Sequence, residues 1–336
     1  MSTPSLRSPR VRGALHGRYG GYGQPMAQER ARFAPSTTGP AHPGTLLAGL
    51  LCWLDARSRQ ARLLLRLEDL DPQRCRPEFA AALVVDLAWL GLDWDEVELQ
   101  SAAHARHAAA LDQLAGLGRL YPSPASRAER LQGGTQLTPY DNGERQRSLP
   151  PGGWRQCPEP LRLRLDAGVV SPCDEGGLEL TQDLAVLGDP IVRRRDGAVS
   201  YQLAVVVDDA AWGVSRIVRG RDIAPSSALQ MALRAILGLP EPLYRHHLLL
   251  CEARGAKLAK LHGAVALADL RPHYTAPQLC GVLAACAGLV APGTSCTPTQ
   301  LLADFSWQRV RRADCLLRWD GRLLAWTVLD ASDAAP

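Results

Sequence analysis

The chain has 336 residues, a formal net charge of +4 and an apolar fraction of 46%, values typical of a globular protein large enough for two domains. It contains no apolar run of the roughly 20 residues that a membrane-spanning helix needs, so we expect a cytoplasmic protein without a membrane partner. The nine cysteines include no Cys-x-x-Cys pair, which indicates reduced thiols rather than a disulfide framework or a common zinc pattern.

The first residues differ in composition from the rest of the chain. They are rich in Gly, Ser, Pro and Arg, and no acidic residue comes before Glu29. We interpret residues 1–29 as a disordered or mis-assigned N-terminal extension, with Met26 as an alternative start.

Residues 30–120 alternate between strand and helix patterns. The predicted elements are a strand, a helix, a strand and two helices, at 31–33, 46–54, 61–68, 77–92 and 101–118. This alternation predicts an α/β fold built on a parallel sheet.

The composition and the periodicity of the sequence change after residue 120. Turn residues cluster over 121–189, which we interpret as an insertion, and regular patterning returns over 190–254 with a last strand near 244–252. Residues 255–336 begin with a Gly-bounded loop and are otherwise rich in Ala and Leu, so we expect them to be helical. Nothing indicates an obligate oligomer, and a monomer is expected.

The Gly-bounded loop holds the only two lysines among 38 basic residues, Lys257 and Lys260. Lysine is a compact ammonium on a flexible stem and can follow a moving phosphate, whereas arginine is a planar fork. Two lysines three residues apart in a loop therefore suggest a mobile phosphate clamp.

A second candidate anion site lies near the start of the predicted domain. The 31–33 strand runs into a loop rich in Pro and Gly, and a helix follows at His42-Pro43-Gly44-Thr45. A helix N-terminus offers free backbone N–H groups and a partial positive charge, and His42 can donate a hydrogen bond to a phosphate oxygen.

Five motifs in fixed order resemble the catalytic core of the class I aminoacyl-tRNA synthetases of the glutamyl type. They are APSTTGPAHPG at 34–44, RLEDLDP at 66–72, YQLAVVVDD at 201–209, VRGRD at 218–222 and KLAK at 257–260. The resemblance runs from about Arg32 to Leu261. It implies a Rossmann-type catalytic domain with an inserted subdomain. It also implies a helical region after the Gly-bounded loop that holds Lys257 and Lys260, called the lysine loop below.

The resemblance also implies roles for individual residues. His42, Gly44, Thr45, Lys257 and Lys260 would bind ATP, supplied with Mg²⁺, and His42 and the lysines would be catalytic. The residues that would bind glutamate are Arg32, Ala34, Ser36, Glu68, Tyr201 and Arg219. Glu68 would take the α-ammonium group, while Tyr201 and Arg219 would contact the side-chain carboxylate.

Only 75 residues follow Leu261, too few for a large anticodon-binding domain. In this the chain resembles the glutamyl-Q tRNA(Asp) synthetases. That resemblance implies tRNA-independent activation of L-glutamate and its transfer to queuosine at the wobble position of tRNA(Asp). Two alternatives stay open: a glutamate-activating enzyme with a non-tRNA acceptor, and a non-catalytic RNA-binding paralogue.

The chain departs from the family pattern at several positions. The positions of the family's zinc ligands are Ser123, Ala125, Tyr140 and Glu144, a set that would hold zinc poorly, so no zinc is expected. Ala259 stands for a serine of the second signature motif and removes one possible phosphate hydrogen bond. Thr37 replaces a usual proline and is expected to loosen its loop.

Overall fold

The computed structural model describes residues 28–124, 142–252 and 265–329. Both lysines of the Gly-bounded loop lie outside these ranges, as do Ala125 and Tyr140 of the degenerate zinc set and the N-terminal extension up to residue 27. No helix in the described ranges is long and apolar enough to cross a membrane.

The helices and strands alternate through the described chain. In chain order they are β1 (Arg30–Phe33), α1 (Pro43–Ser58), β2 (Arg62–Leu67), α2 (Pro77–Trp89), β3 (Glu96–Leu99), α3 (His104–Gly116), β4 (Leu120–Pro122), β5 (Leu161–Leu163), β6 (Val169–Val170), β7 (Gln182–Asp183), α4 (Leu184–Leu187), β8 (Ile191–Arg193), α5 (Tyr201–Ala211), β9 (Arg216–Gly220), α6 (Ser227–Leu237), β10 (Leu243–His247), β11 (Leu250–Glu252), α7 (Leu267–Leu270), α8 (Ala276–Cys286), α9 (Pro298–Leu302), β12 (Cys315–Trp319) and β13 (Leu324–Val328). Three short 3-10 helices cover Gln100–Ala103, Trp154–Gln156 and Arg221–Ser226.

Parallel strands from two parts of the chain lie side by side. Strands β1, β2 and β3 pair in parallel, as do β9 and β10. Strand β9 lies beside β1, where the Ser215 amide donates to the Arg30 carbonyl at 3.3 Å. The spatial order is therefore β3-β2-β1-β9-β10, which confirms the predicted parallel α/β fold and adds β3, a strand that the sequence pattern did not predict.

Helix α1 forms the centre of the larger hydrophobic core. Pro43 occupies its first turn, and five leucines that recur along it are at most 1% exposed: Leu46, Leu47, Leu50, Leu51 and Leu54. The helix is apolar around most of its circumference because it packs against β1 and β9 on one side and against α8 and α9 on the other.

The predicted insertion contains β5 and a separate β6–β7 pair, and β5 forms a small antiparallel sheet with β4 and β8 at the two borders of the insertion. The stretch at 200–209, rich in β-branched residues, is the helix α5, which packs against α3 and α6 over the second core cluster. Burial of Leu203, Val205 and Val206 on this helix outweighs the strand preference of valine.

The region after the lysine loop is only partly helical, so the prediction of a helical 255–336 segment is wrong for its last part. Strands β12 and β13 form an antiparallel hairpin, and β12 pairs in parallel with β11. The single strand predicted at 244–252 is also wrong in detail, because the chain bends after His247 and β11 joins this second sheet. The pairing of β11 with β12 joins residues about 65 positions apart, so local sequence patterns did not predict it.

Candidate active site

A cavity of about 740 Å³ opens at the carboxyl ends of β1, β2 and β9, the usual ligand position in an open parallel sheet. Every predicted site residue within the described ranges lines it: Arg32, Ala34, Ser36, His42, Gly44, Thr45, Glu68, Tyr201 and Arg219. Four chain segments that are separated in sequence, around residues 32–45, 68, 201 and 219, therefore meet at one place. Lys257 and Lys260 lie outside the described residues, and their position stays a prediction.

The loop after β1 is tied to the end of β2. Ser36 and Glu68 form a parallel β-bridge, and the Glu68 amide donates to the Pro35 carbonyl at 3.0 Å. Thr37 is 1% exposed and donates to the Glu68 carbonyl through its amide at 3.1 Å and its hydroxyl at 3.3 Å. Thr37 thus fastens the loop rather than loosening it, since a proline at this position would have neither donor.

Two of the buried arginines beside the cavity share one carboxylate of the fold. Asp209 on α5 accepts a hydrogen bond from Arg66 at 2.6 Å and lies 3.4 Å from the Nε atom of Arg32. Arg32 also donates to the Val218 carbonyl at 3.0 Å, which links β1 to β9. Burial opposes ionisation of Asp209, but the two guanidinium groups outweigh it and hold its pKa below the usual range.

Glu68 is a carboxylate placed for a cation. Its side chain is 12% exposed and accepts a hydrogen bond from Arg66 at 3.3 Å. Burial raises the pKa of Glu68, and this effect outweighs the opposing pull of Arg66 and Arg32. A cationic ligand group beside this carboxylate would relieve the cost of its burial.

Arg219 is oriented by neutral groups. Its Nη1, Nη2 and Nε atoms donate to Gln230 Oε1 at 2.7 Å, Ser227 Oγ at 2.7 Å and His246 Nε2 at 3.0 Å. The guanidinium also lies over the ring of Tyr244. Among the residues that the structure describes, no carboxylate forms an ion pair with Arg219, and burial lowers its pKa.

Arg219 keeps donors for a ligand. A guanidinium carries five N–H groups, and contacts within the described residues use three of them. One N–H remains on each terminal nitrogen, and charged donors of this kind bind carboxylates strongly. The buried guanidinium, which has no carboxylate partner among the described residues, thus has the charge and the donors to bind an anionic ligand group.

Tyr201 occupies the first turn of α5 on the wall of the same cavity and is 37% exposed. Desolvation raises the pKa of its phenol to about 12, with a smaller contribution from Glu68. Tyr201 is therefore a neutral hydroxyl at physiological pH, able to donate to a ligand carboxylate.

The N-terminus of α1 opens into the cavity beside His42. The imidazole lies close to the first turn: a Cβ atom at Gly44 would approach His42 Cε1 and Nδ1 to 3.0 and 3.1 Å. Gly44 therefore leaves room for the ring, which is why a residue without a side chain follows the histidine at this spacing. The 16-residue helix directs its N-terminal amides and partial positive charge at the cavity.

Ser123 and Glu144, the two described positions of the degenerate zinc set, belong to a polar cluster. Ser123 donates to the Glu144 carboxylate, and Arg162 Nε donates to Ser123 Oγ at 2.9 Å. A guanidinium at this distance opposes a dication, and hydroxyl and single carboxylate ligands do not suit structural zinc. These described residues of the set do not fit the metal.

Several site residues were missed by sequence reasoning. Asp209, Ser227, Gln230 and His246 do not contact a ligand in the expected scheme, but they hold Arg32 and Arg219 in place. Asp209 falls in one of the five matched motifs and could have been singled out there. The others carry no local signal, because their roles depend on the contact of α6 and β10 with β9.

Comparison with known proteins agrees with this geometry. The family model of the class I tRNA synthetases for glutamate and glutamine, catalytic domain, matches residues 28–150 and 155–273. The glutamyl-Q tRNA(Asp) synthetase of Nitratidesulfovibrio vulgaris is 38% identical over 78% of this chain and 87% of the relative. The glutamyl-Q tRNA(Asp) synthetase of Symbiobacterium thermophilum is 37% identical over 84% of this chain and 93% of the relative.

A solved structure shares the fold. A glutamate tRNA ligase from Elizabethkingia meningosepticum, in complex with its amino acid, superposes with a TM-score of 0.73 at 22% identity, covering 85% of this chain and 66% of that one. The family match extends through the cavity-lining segments. The chain belongs to the class I tRNA synthetases of the glutamate and glutamine type, and within them to the glutamyl-Q tRNA(Asp) synthetase family.

Proposed function

We propose that the protein activates L-glutamate with ATP in the absence of tRNA and transfers the glutamate to queuosine at the wobble position of tRNA(Asp). The amino acid is argued from the cavity, and the acceptor is argued from the names of the relatives. The observation that carries the choice of glutamate is the buried Arg219, which has neutral acceptors and two free donors.

The side-chain carboxylate of glutamate supplies the anion that Arg219 lacks. Glutamine would leave the arginine buried without a counter-charge, which costs about 3–5 kcal/mol for a broken buried pair. Aspartate is one methylene shorter, so its carboxylate would stop short of Arg219 when its ammonium group is held at Glu68. Tyr201 adds a neutral donor for the same carboxylate.

The remaining groups hold the other end of the amino acid. Glu68 takes the α-ammonium group, and Arg32, Ala34 and Ser36 line the wall beside it. Because Arg32 is already balanced by Asp209, it can guide the α-carboxylate without binding it tightly. The α-carboxylate must stay reactive, since it is the nucleophile of the first step.

ATP enters as its magnesium complex, a substrate that brings its own metal ion. The N-terminus of α1, with His42, Gly44 and Thr45, is placed to receive its phosphates. The glutamate α-carboxylate attacks the α-phosphorus, a new C–O–P bond forms, and diphosphate leaves. Lys257 and Lys260 would stabilise the charge that develops on the diphosphate; one such contact is worth about 3–4 kcal/mol in related electrostatic catalysis.

In the second step a hydroxyl of the queuosine cyclopentenediol attacks the carbonyl carbon of glutamyl-adenylate. The C–O bond to the phosphate breaks, AMP leaves, and the hydroxyl proton is lost. Neither step requires a covalent bond to the protein.

The first step is tested by ATP–diphosphate exchange with glutamate, aspartate and glutamine, each without tRNA. We expect exchange with glutamate alone, and at least 100-fold less in Lys260→Ala. Exchange that does not depend on the amino acid, or none from folded protein, would contradict the proposal and favour the non-catalytic alternative.

The acceptor is tested with radiolabelled glutamate and two preparations of tRNA(Asp), one with queuosine and one from cells that cannot make it. Label should enter only the first, and nuclease cleavage should leave it on the anticodon fragment rather than on the terminal adenosine. Active exchange without labelling of either tRNA would point to a non-tRNA acceptor.

A further inference from the structure

We propose that Asp174 and His246 are positioning residues for the amino-acid site: together they hold Arg219 in its carboxylate-binding orientation without neutralising it. The proposal rests on the proposed function insofar as Arg219 is the residue that binds the glutamate side chain. Neither residue belongs to the motifs that relate the chain to its family, and neither lines the cavity.

Three buried groups form a continuous hydrogen-bonded series. Asp174 Oδ2 lies 2.6 Å from His246 Nδ1, and Arg219 Nε donates to His246 Nε2 at 3.0 Å. The side chains of His246 and Asp174 are 1% and 0% exposed. The imidazole stacks on Tyr244 with 8° between the ring planes, which fixes its tilt.

The chemistry of the two ends sets the tautomer of His246. A guanidinium nitrogen can only donate, so Nε2 must carry a lone pair. An ionised carboxylate can only accept, so Nδ1 must carry the proton. Both ends therefore demand the neutral Nδ1–H tautomer, and Asp174 fixes it in the way a buried aspartate fixes the histidine of a catalytic triad.

Asp174 is itself held as an anion. Its Oδ1 accepts from the Gly176 amide at 2.6 Å, and its Oδ2 accepts from the His246 amide at 3.1 Å. Burial opposes its ionisation, but the hydrogen bond with the His246 side chain, followed by the smaller effects of these amides, outweighs burial and holds the pKa of Asp174 below the usual range. The carboxylate is thus fixed in place as an acceptor.

The surroundings of His246 also favour the neutral ring. Burial is the largest cause of its lowered pKa, Arg219 and Arg32 add to it, and Asp174 opposes it. Ser227 Oγ lies 3.5 Å from Nε2 and carries no charge. A second proton on His246 would remove the acceptor of Arg219 and place two cations side by side.

The intervening histidine explains why Arg219 is oriented and yet available. A carboxylate in direct contact would form an ion pair, as Asp209 does with Arg66, and would compete with the substrate for the guanidinium. Because neutral His246 lies between Asp174 and Arg219, the hydrogen bonds orient the guanidinium of Arg219 without neutralising it. The positive charge of Arg219 therefore stays available to a ligand.

Asp174 is supplied by the insertion. Its segment lies along β10 like an extra strand: the Tyr244 amide donates to the Cys173 carbonyl at 3.1 Å, and the Glu175 amide donates to the Tyr244 carbonyl at 2.9 Å. The insertion therefore contributes to the proposed amino-acid site without lining the cavity, through the contact of Asp174 with His246, 72 positions further along the chain.

The tautomer is tested without any assay of activity. Protein labelled with ¹⁵N-histidine is examined by NMR at pH 7.5, and the His246 signals are assigned as those lost in His246→Gln. We expect a neutral Nδ1–H ring in the wild type and a lower share of that tautomer in Asp174→Asn, whose amide can donate as well as accept. A protonated ring, or an Nε2–H ring in the wild type, would overturn the proposal.

The positioning role is tested by the kinetics of glutamate-dependent exchange. Asp174→Asn and His246→Leu should raise the KM for glutamate by about tenfold or more, with the KM for ATP unchanged, because only the orientation of Arg219 is altered. His246→Gln should restore most of the affinity, since its amide can accept from Arg219 and donate to Asp174 without charge.

His107→Gln is the matched control, because His107 and Asp208 form a second buried histidine–aspartate pair at 2.8 Å outside the cavity. It should lower the melting temperature at most and leave the KM for glutamate unchanged. Equal losses of kcat and stability in all variants, without a change in that KM, would show a merely structural role and refute the inference. Absence of glutamate exchange in the wild type would instead refute the proposed function, and the NMR result would then decide on the hydrogen-bonded series alone.

Discussion

At the scale of single residues, the site distinguishes three buried arginines by their partners. Arg32 and Arg66 share the carboxylate of Asp209, whereas Arg219 meets only neutral acceptors within the described chain. The residue type is the same in each case, but the first two are structural charges and the third is uncompensated. Under the proposed function, binding specificity would follow from the arginine that has no carboxylate partner among the described residues.

Replacing Arg219 should therefore affect substrate recognition more than folding. We expect Arg219→Leu to lower kcat/KM for glutamate by about 100-fold or more, the effect of losing a buried ion pair. Arg219→Lys should recover little, because an ammonium cannot supply the two parallel donors of the guanidinium. The measurement is ATP–diphosphate exchange over a range of glutamate concentrations, with melting temperatures as the control for folding.

Glu68 should give the reaction a measurable pH dependence. Burial raises the pKa of this carboxyl above its ordinary value of 4.5, so it becomes protonated at a higher pH than an exposed glutamate would. The protonated form cannot balance the α-ammonium group, and kcat/KM for glutamate should fall on the acid side with an apparent pKa above 4.5.

The matching variant is Glu68→Gln, which should have a lower kcat/KM at pH 7.5 and a shallower decline toward acid. An identical acid decline in the variant and the wild type would assign the ionisation to another group. The profile is measured by the same exchange reaction, with protein stability checked at each pH.

At the scale of elements, the start of α1 joins a helix N-terminus to a histidine. Their close approach depends on Gly44, because any Cβ atom there would meet the His42 ring at 3.0 Å. The neighbouring loop is equally constrained, since Thr37 ties it to the end of β2. The loop between β1 and α1 is thus tied at Thr37 and closely packed at Gly44, so small displacements there should matter.

The variant Gly44→Ala distinguishes the effect of this position on helix stability from its effect on ATP binding. Alanine is the better helix former, so the melting temperature should be unchanged or slightly higher. The displaced His42 should raise the KM for ATP by roughly tenfold, as misplacement of binding groups by a fraction of an ångström can do. An unchanged KM for ATP would show that His42 does not help to bind the nucleotide.

At the scale of the whole molecule, the region after the lysine loop shares one core with the catalytic half. Leucines of α1 and α8 belong to the same buried cluster. Asp55 on α1 adds a polar connection, since it accepts from Arg216 Nε on β9 at 2.8 Å and from Trp307 Nε1 at 2.6 Å. One carboxylate thus joins helix, sheet and C-terminal region.

We expect Asp55→Asn to lower the free energy of unfolding by about 3 kcal/mol, because it removes the charge that balances buried Arg216. Denaturant titration measures this loss, and the KM for ATP serves as the control because Asp55 does not line the cavity. A stability equal to that of the wild type would mean that Glu175, the second partner of Arg216, is sufficient.

From the amino-acid sequence, local patterning predicted the alternating α/β fold, and the resemblance of five ordered motifs to a known family predicted the residues that meet in the cavity. Helical periodicity and Leu-rich strands are local signals, and parallel strands bring their carboxyl ends to one edge of the sheet. The tertiary structure alone showed that Arg219 has no carboxylate partner within the described residues, that Asp174 reaches His246, and that the C-terminal region contains the β12–β13 hairpin. Each of these depends on contacts between segments distant in sequence, which local periodicity does not encode.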